Sequence, residues 1–584
     1  MMTKKVETPH FPSKSVPDTP RLSHPLPALP ADPSYRHGTA RHAHTFLGAH
    51  EGEGTVVFQV WAPQAIQVSV QGIADDWSSG VPMICTDLPG VWQATLPSDG
   101  VPDGTLYKYR ILPQEGNAIL TPDPYGRAME APPNDATVFR RTAAFPWRDD
   151  GWMHRRATVA RSGKPQPLNI YEVRLGAWKP HRDDVPLSYH ELADELTPYV
   201  KQMGYTHVLL APLTEPTAAG LFAPSARYGS PDDLRTLVDI LHGAGVGVLT
   251  AWSPTVTDLT HGEVRSYLLS NLHYWIEEFH LDGLRILPPD GADAAAWCAL
   301  TLPLEDEHPD IILITPPSPA TDAARAAGAR CPLPCHTAWT KATLDYARED
   351  PLFRKHKHDA LMAQSRVAQD AFGVLPIDSL SVGHPYRSFL DCMPGDYWQK
   401  FAGARLFAAW VMTHPGGKLW HMGCEIGAFS SKDPGKPMEW YLLDFDAHAR
   451  LQHYFAALHR LYLSLPPLWD VDTAHPDNAM IPLESDAEAG ILAYRRVAAD
   501  GREVIAVLNF TPVVHEQHPL PVPTAGRYRE IFNSDNSAYG GSDVVNSRPL
   551  TAVPDGTTGR PTLTLRVPPL GCSLWVIDDA PTDA

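Results

Sequence analysis

The sequence lacks the features of a membrane protein or a secreted protein. It contains no uninterrupted apolar run of about 18 residues, the length that a helix needs to cross a bilayer. The seven cysteines are few for a chain of 584 residues, odd in number and scattered, unlike a secreted disulfide framework. Residues 1–40 are rich in proline, serine and histidine and hold no apolar core of a signal peptide. We therefore expect reduced thiols, a disordered tail over residues 1–40 and a cytoplasmic location.

Several classes of site are also missing. The sequence has no phosphate-binding Gly-x-x-x-x-Gly-Lys pattern, no Gly-x-Ser-x-Gly nucleophile turn and no His-Glu-x-x-His zinc motif. Cys331 and Cys335, the latter followed by His336, are not spaced as a Cys-x-x-Cys metal or haem pair, and no second pair exists. The histidines, including His273 and His421, are scattered and typical of packing or surface positions. The sequence thus predicts neither a metal site nor a cofactor.

The charge of the chain limits its partners. The formal net charge is −19 at pH 7, and it is spread without any long run of one sign. This distribution argues against nucleic acid and against an anionic membrane surface as partners. A neutral polymer or a small molecule is favoured instead.

Three patterns divide the remainder of the chain. From residue 41 to 145, short alternating runs such as Val56–Trp61 predict a β-sandwich. From residue 146 to 470, strand-like runs alternate with amphipathic helices, which predicts an α/β fold with a (β/α)8 barrel of the TIM type, either complete or lacking strands. Short strands return from residue 471 to 584 and predict a C-terminal β-sandwich.

The segment from His280 to Pro289 lies at the centre of the barrel pattern. Before it, apolar residues between Val264 and Phe279 recur at spacings of three and four and predict an amphipathic helix. Asp282-Gly283 then predicts a tight turn, and the following residues predict a short buried strand that runs into a loop.

Several blocks of the chain resemble the bacterial 1,4-alpha-glucan (glycogen) branching enzymes of the alpha-amylase superfamily. Ile170–Val173, Tyr228–Asp233 and Met393–Phe401 carry the resemblance in the barrel, and Phe58–Pro63 and Asn509–Pro512 extend it to both flanking regions. It implies that residues 41–145 are a carbohydrate-binding module. The interpretation of its aromatic residues stays open, because Trp77 and Trp92 either stack on sugar rings or belong to the core. Lys108 is a candidate hydrogen-bond donor to sugar.

The family reaction implied by this resemblance is a retaining glycosyl transfer from a 1,4-linked chain to a 6-hydroxyl group. It needs two carboxyl groups, one ionised and acting as nucleophile and one protonated and acting as acid. At the family's nucleophile position this chain has Leu287, although Arg285 two residues earlier is kept. The acid position falls on Thr315 or Pro316, and the position of the third carboxylate falls on Leu380. The sequence therefore predicts that no catalytic residue remains at these positions.

Nearby carboxylates leave an alternative. Asp290 and Asp378 lie close in sequence to the substituted positions, but we expect that either would need a displaced backbone to reach the site. We interpret Arg285 as one half of a buried ion pair with Asp282, Asp290 or Asp378.

We expect a non-catalytic protein of glycogen metabolism that binds alpha-glucan, such as glycogen or amylose, or assists a catalytic partner enzyme. Two alternatives remain at this stage. One is an active branching enzyme with rearranged carboxylates, and the other is a scaffold without sugar affinity.

Overall fold

The computed structural model describes residues 33–73, 77–78, 80–141, 144–181, 185–215, 220–256, 258–326, 331–381, 388–429, 436–470 and 480–578. The expected tail over residues 1–32 lies outside these ranges. Among the described residues, no helix combines the length and the apolar character needed to cross a membrane. Six described cysteines have free thiols: Cys85, Cys331, Cys335, Cys392, Cys424 and Cys572.

The N-terminal region folds into antiparallel strands that pack face to face. One sheet has the order β1-β2-β6-β5, and the other has the order β4-β3-β7-β8, with β9 paired to β7. Alternation along β2 and β6 directs Val56, Phe58 and Ala94 into a shared apolar core. The strands are β1 (Gly48–Gly52), β2 (Thr55–Trp61), β3 (Ala65–Gln71), β4 (Val81–Pro82), β5 (Ile84–Cys85), β6 (Val91–Pro97), β7 (Leu106–Pro113), β8 (Ile119–Thr121) and β9 (Thr137–Val138).

The central region forms an eight-stranded parallel sheet that curls into a barrel, as the sequence predicts. Its order is β15-β14-β13-β12-β11-β10-β17-β16, and a single parallel bridge between Cys335 and Val374 joins the two outer strands. All eight strands are therefore present and the barrel is nearly closed. The strands are β10 (Asn169–Arg174), β11 (His207–Ala211), β12 (Gly247–Trp252), β13 (Gly283–Ile286), β14 (Ile312–Thr315), β15 (Leu333–Pro334), β16 (Val374–Ile377) and β17 (Gly417–His421).

Helices surround the barrel, and three of them begin at a reciprocal polar cap. Ser230 accepts a hydrogen bond from the backbone of Asp233 at 3.3 Å, and the Asp233 carboxylate accepts one from the backbone of Ser230 at 2.8 Å. Asp396 and Gln399 form the same reciprocal cap. The helices are α1 (Ser34–His37), α2 (Asp150–Ser162), α3 (Tyr189–Met203), α4 (Pro231–Gly243), α5 (Gly262–Glu278), α6 (Ala294–Glu307), α7 (Pro319–Ala326), α8 (Thr337–Arg348), α9 (His358–Asp370), α10 (Tyr397–Thr413) and α11 (Asp446–Ser464).

The C-terminal region is a second all-β unit, as predicted. A six-stranded sheet has the order β18-β19-β20-β26-β22-β23, and a three-stranded sheet has the order β21-β25-β24. Ile491, Val507 and Leu563 are among the buried residues of the core that both sheets share. The strands are β18 (Ile481–Asp486), β19 (Ile491–Val497), β20 (Glu503–Asn509), β21 (His515–Pro521), β22 (Arg527–Asn533), β23 (Leu550–Thr551), β24 (Val553–Pro554), β25 (Pro561–Val567) and β26 (Gly571–Ile577).

Residues 33–40, which the sequence assigned to a disordered tail, are instead packed against α5. Ser266 donates a hydrogen bond to the carbonyl of Tyr35 at 2.8 Å, and the backbone of Ala43 donates one to Ser270 at 2.8 Å. Tyr35 is buried in the main core. The two small serine side chains let the segment approach the helix closely, a contact that the proline-rich composition did not reveal.

The turn before β13 also differs from the prediction. It lies at His280, whose φ of 52° is in the left-handed region, and not at Asp282-Gly283. Gly283 already belongs to the strand, where a Cβ would lie 2.1 Å from the carbonyl oxygen of Ile312. The glycine is thus needed for close approach to β14, and the chain turn is made before it.

Candidate functional site

The interior of the barrel has an apolar layer below and a charged layer above. The apolar layer is built from residues that point to the barrel axis: Leu168, Ile170, Leu209, Leu249, Ile314, Cys335, Val374 and Leu419. Above it, at the carboxyl ends of the strands, lie Glu172, Arg285, Asp378 and His421, which we call the mouth network. Catalytic residues of TIM barrels lie at this end of the strands.

Glu172 is the best-connected member of the mouth network. It is the register partner of His421 on the neighbouring strand, and His421 Nδ1 lies 2.9 Å from its carboxylate. The backbone and the hydroxyl of Ser379 donate hydrogen bonds to the same carboxylate at 2.7 and 2.9 Å. Burial acts to raise the pKa of Glu172, but the hydrogen bond from His421 and the charges of His421 and Arg285 lower it to about 2. Glu172 is therefore held as a carboxylate.

Arg285 lies between two carboxylates. One guanidinium nitrogen contacts Asp378, and another lies 3.6 Å from Glu172. Burial acts to lower the pKa of Arg285, but the negative charge of Asp378, together with that of Glu172, raises it. Arg285 thus remains a cation inside the barrel.

The predicted ion pair of Arg285 is confirmed, with Asp378 as its partner. Of the two other candidates, Asp282 lies at the opposite end of the strand and pairs with Arg156, and Asp290 is exposed beyond the strand. The expectation that Asp378 needs a displaced backbone was wrong. It directly follows β16, and alternation along an extended chain places it on the same face as Val374, toward the axis.

The positions to which the sequence assigned the family's catalytic residues lie near the carboxyl ends of barrel strands and outside this network. Leu287 follows β13, donates its backbone N–H to Trp252 at 2.9 Å and is half-buried. Thr315 is buried at the end of β14, whereas Pro316 is exposed. Leu380 is 64% exposed. None of these side chains can attack an anomeric carbon as a carboxylate or protonate a leaving oxygen as an acid.

A small cavity opens beside the mouth between the ends of β11 and β12. It has a volume of about 10 Å³ and is lined by Leu213, Thr214, Leu221, Thr250, Ala251, Trp252, Ser253 and Trp275. A single water molecule needs about 10 to 15 Å³ on this scale. The cavity therefore has no room for a glucosyl ring.

The three candidate sugar contacts of the N-terminal sandwich differ in exposure. Trp77 is 44% exposed. Trp92 is half-buried against the sandwich core, and its indole N–H donates to the carbonyl of Ala62 at 3.1 Å. Lys108 forms an ion pair with Asp135. Trp77 thus presents the most accessible ring, whereas Trp92 and Lys108 already have protein partners.

Sequence reasoning missed an exposed aromatic group on the mouth side of the barrel. Its members lie on or beside the loops that follow β16 and β17, and each is more than a third exposed: Tyr397, Trp398, Phe429, Tyr441 and Phe445. The rings of Tyr397, Phe429 and Phe445 surround His448 at centroid distances of 6.2, 5.6 and 6.4 Å. Tyr397 and Trp398 stood inside a block that carried the family resemblance, but exposure cannot be judged from the block alone. Glu172 and His421 were also missed as members of the mouth network, because the pairing of β10 with β17 brings them together.

Two models of known families match the regions that flank the barrel. The model of Carbohydrate-binding module 48 (Isoamylase N-terminal domain) matches residues 46–126. The model of Alpha amylase, C-terminal all-beta domain, matches residues 483–578.

Solved structures share the fold at low sequence identity. A type I pullulanase from Bacillus subtilis, complexed with maltose, has a TM-score of 0.69 and 17% identity over 91% of this chain and 85% of its own. A pullulanase from an Anoxybacillus species, complexed with maltotetraose, has a TM-score of 0.69 and 15% identity over 94% of this chain and 90% of its own. These similarities support the alpha-amylase-like architecture.

Sequence relatives are closer. The 1,4-alpha-glucan branching enzyme GlgB of Nitrosomonas europaea is 33% identical over 92% of this chain and 83% of its own length. The enzymes of the same name from Nitrosococcus oceani and Rhodospirillum rubrum are each 34% identical over 91% of this chain, and the match covers 81% and 82% of their lengths. At this identity and coverage, the chain belongs to the 1,4-alpha-glucan branching enzyme GlgB family.

Proposed function

We propose that this chain is a non-catalytic member of the branching-enzyme family that binds alpha-glucan. The observation that carries the proposal is the mouth network, in which the carboxylates of Glu172 and Asp378 are tied to Arg285 inside the barrel. These charged side chains lie at the carboxyl ends of the barrel strands, where TIM-barrel enzymes have their catalytic residues. They form ion pairs with one another.

The chemistry of a retaining glycosyl transfer supports this proposal. It requires one carboxyl group that is accessible as nucleophile and a second that is protonated. Glu172 and Asp378 are only 4% and 1% exposed. Glu172 is ionised by its environment, so it has no proton to donate. Leu287, Thr315 and Leu380 supply no replacement.

Glucan binding is supported separately. Sugar rings stack on aromatic faces without any need for carboxylates. The match to a carbohydrate-binding module includes the sandwich that carries Trp77, and the mouth side carries the exposed aromatic group. A chain that has lost catalysis can thus retain affinity for glycogen or amylose.

The domain division and the cellular context remain proposals too. We assign residues 41–145, 146–470 and 471–584 to the module, the barrel and the C-terminal sandwich. A catalytic enzyme of glycogen metabolism is the partner class that this function favours. A cytoplasmic location stays a prediction of the sequence.

A branching assay and a retention gel together test the proposal. Purified protein is incubated with amylose, and new 1,6-linkages are counted beside the GlgB enzyme of Nitrosomonas europaea as positive control. We expect no time-dependent loss of iodine staining, because loss of a nucleophile alone costs several orders of magnitude in rate. In a native gel containing glycogen, we expect retarded migration. Heat-sensitive branching would overturn the non-catalytic proposal, and unchanged migration would favour a scaffold without sugar affinity.

One observation favours a second candidate function. Glu172 and Asp378 both face the barrel axis beside a shared arginine, so an active enzyme with rearranged carboxylates would use this pair. The variants Glu172→Gln and Asp378→Asn would then each abolish any branching seen in the parent. If activity survived both changes, the pair would be excluded.

A further inference from the structure

A second group of ionisable side chains lies on the outer side of the barrel, away from the mouth network. It consists of His42 from the N-terminal segment, His273 and Glu277 from α5, and His308 just after α6, and we call it the imidazole cluster. His42 is half exposed, whereas the His273 side chain is 3% exposed. Three separate elements thus bring imidazole and carboxylate groups to one place.

The distances within the cluster match those between ligands of a single metal ion. His273 Nδ1 lies 3.0 Å from His308 Nε2 and 3.3 Å from Glu277 Oε1, and the latter two atoms are 3.5 Å apart. Tetrahedral zinc with bonds of about 2.0 to 2.1 Å places its ligand atoms about 3.3 Å apart. Ligand atoms of His42, His273 and Glu277 also lie within 4.8 Å of one another.

The orientation of the His273 ring directs one nitrogen into the cluster. Nε2 of His273 lies 3.0 Å from the Glu307 carboxylate on the other side of the ring. Nδ1 is therefore the ring nitrogen that faces Glu277 and His308.

The surroundings resemble the outer shell of a metal site. Metal-bound histidine commonly donates its other N–H to a carboxylate, which fixes the tautomer and orients the ring. Glu307 occupies this position for His273, and Arg41 forms an ion pair with Glu307. The negative charges of Glu277 and Glu307 favour a divalent cation at this place.

We propose that the imidazole cluster binds a divalent transition-metal ion, with His273, His308, Glu277 and His42 as ligands. Imidazole nitrogen together with carboxylate oxygen suits Zn²⁺ and its neighbours better than Mg²⁺ or Ca²⁺. Because His42 comes from the N-terminal segment, the bound ion fastens that segment to α5.

The test uses the full chain without a histidine tag, stripped with EDTA. Zn²⁺ is titrated calorimetrically, and Co²⁺ is added in parallel because tetrahedral Co²⁺ absorbs visible light intensely. We expect one saturable site, a rise in melting temperature on addition of Zn²⁺, and slower proteolysis of the N-terminal segment.

Variants of the proposed ligands, compared with a control variant outside the cluster, test which side chains bind the ion. Glu277→Gln and His273→Gln are expected to weaken binding more than about 100-fold, and Glu307→Gln about 10- to 100-fold. His42→Ala is expected to weaken binding at least about tenfold and changes a half-exposed side chain, so it remains informative if the buried variant does not fold. The control is His190→Gln, whose exposed ring pairs with Asp233 at 2.8 Å outside the cluster, and it should bind like the parent. Absence of saturable Zn²⁺ binding by the parent, or equal affinity in His42→Ala, Glu277→Gln and the parent, would overturn the proposal.

Discussion

The two ends of the barrel both contain buried charges, but the charges are supplied by different elements. At the amino ends of the strands, Asp282 accepts hydrogen bonds from Trp152 at 2.7 Å and from the backbone of Val248 at 2.6 Å. Arg156 and His242 contact the same carboxylate at 3.1 and 2.9 Å. Nδ1 of His242 also lies 2.8 Å from the carboxylate of Asp149. We call Asp282, Arg156, His242 and Asp149 the floor network. Arg156 and His242 come from α2 and α4, outside the barrel, and hold these helices against it.

The mouth network lies instead on the barrel strands or directly after them. Glu172, Arg285 and His421 belong to strands, and Asp378 follows one. Both ends contain a buried polar atom without a hydrogen-bond partner among the described residues, Nε of Arg285 at the mouth and Oδ1 of Asp149 at the floor. The charged side chains of the mouth network thus lie along the barrel axis and pair with one another. They do not attach a surrounding helix to the barrel.

This difference separates charges that attach helices to the barrel from charges that pair with one another along its axis. In TIM barrels the mouth serves catalysis and the floor serves stability. Here the mouth charges are paired and buried as thoroughly as those of the floor. We therefore expect mutations in the mouth network to lower the free energy of unfolding.

The largest effect is expected from Arg285→Met. It leaves Glu172 and Asp378 buried without their shared cation, and breaking a buried pair in this way costs about 3 to 5 kcal/mol in unfolding free energy. Arg156→Met is the floor control and should cost only about 1 to 2 kcal/mol, because Asp282 keeps His242, Trp152 and Val248 as partners. Denaturant unfolding followed by tryptophan fluorescence measures both. Equal losses of unfolding free energy in the two variants would show that the mouth depends no more on its arginine than the floor does.

The stabilisation by the mouth network should be lost at low pH, and the stabilisation by the floor network should be lost at high pH. The pKa of Glu172 is lowered to about 2, so its stabilisation is present above its unfolded value of about 4.3 and is lost as pH falls toward 2. Burial acts to lower the pKa of His242, but hydrogen bonds from its ring to Asp149 and Asp282 raise it. The stabilisation by His242 is therefore complete below its unfolded pKa of about 6.5 and is lost as pH rises through the folded pKa.

Two variants measure these pH dependences. The stability difference between the parent and Glu172→Gln should shrink between about pH 4.3 and 2, by a total of the order of 3 kcal/mol. The difference between the parent and His242→Gln should shrink on the alkaline side. A pH-independent stability difference for either variant would show that the charge of that residue does not contribute to stability.

A smaller loss is expected from Leu287→Asp, which restores the residue type of the family's nucleophile. Part of a leucine surface is lost and a carboxylate is partly desolvated, at a cost of about 1 to 2 kcal/mol. The half-buried position makes this cost lower than full burial would. We expect no branching by this variant, because Thr315 and Pro316 supply no acid. Leu287→Asn is the matched uncharged control, and branching by Leu287→Asp alone would show that an acid survives.

The smallest effect concerns glucan affinity. Tyr441→Ala on the mouth side and Trp77→Ala on the sandwich each remove an exposed ring. Each should weaken retention by glycogen about twofold to thirteenfold, since an aromatic contact contributes about 0.5 to 1.5 kcal/mol. Phe353→Ala removes a comparably exposed ring, 51% exposed, outside both surfaces and serves as control. Equal retention of all three variants would remove both surfaces as candidate glucan sites.

Local patterns were sufficient for the architecture. Periods of two and of three to four residues predicted the two β-sandwiches and the barrel, because alternation and helical spacing act over a few neighbouring residues. Leu287 and Leu380 could be recognised from the sequence as unable to act as carboxylates, since this depends only on their chemistry.

Contacts between distant residues were decided by the tertiary structure alone. Asp378 pairs with Arg285 across 93 residues, and His42 meets Glu277 across 235. The sequence could offer three candidate partners for Arg285 but could not choose among them, because strand curvature and barrel closure determine which side chains share the axis. Residues 33–40 looked like a solvated tail by composition, and the small serines of α5, visible only once the helix is in place, made room for them.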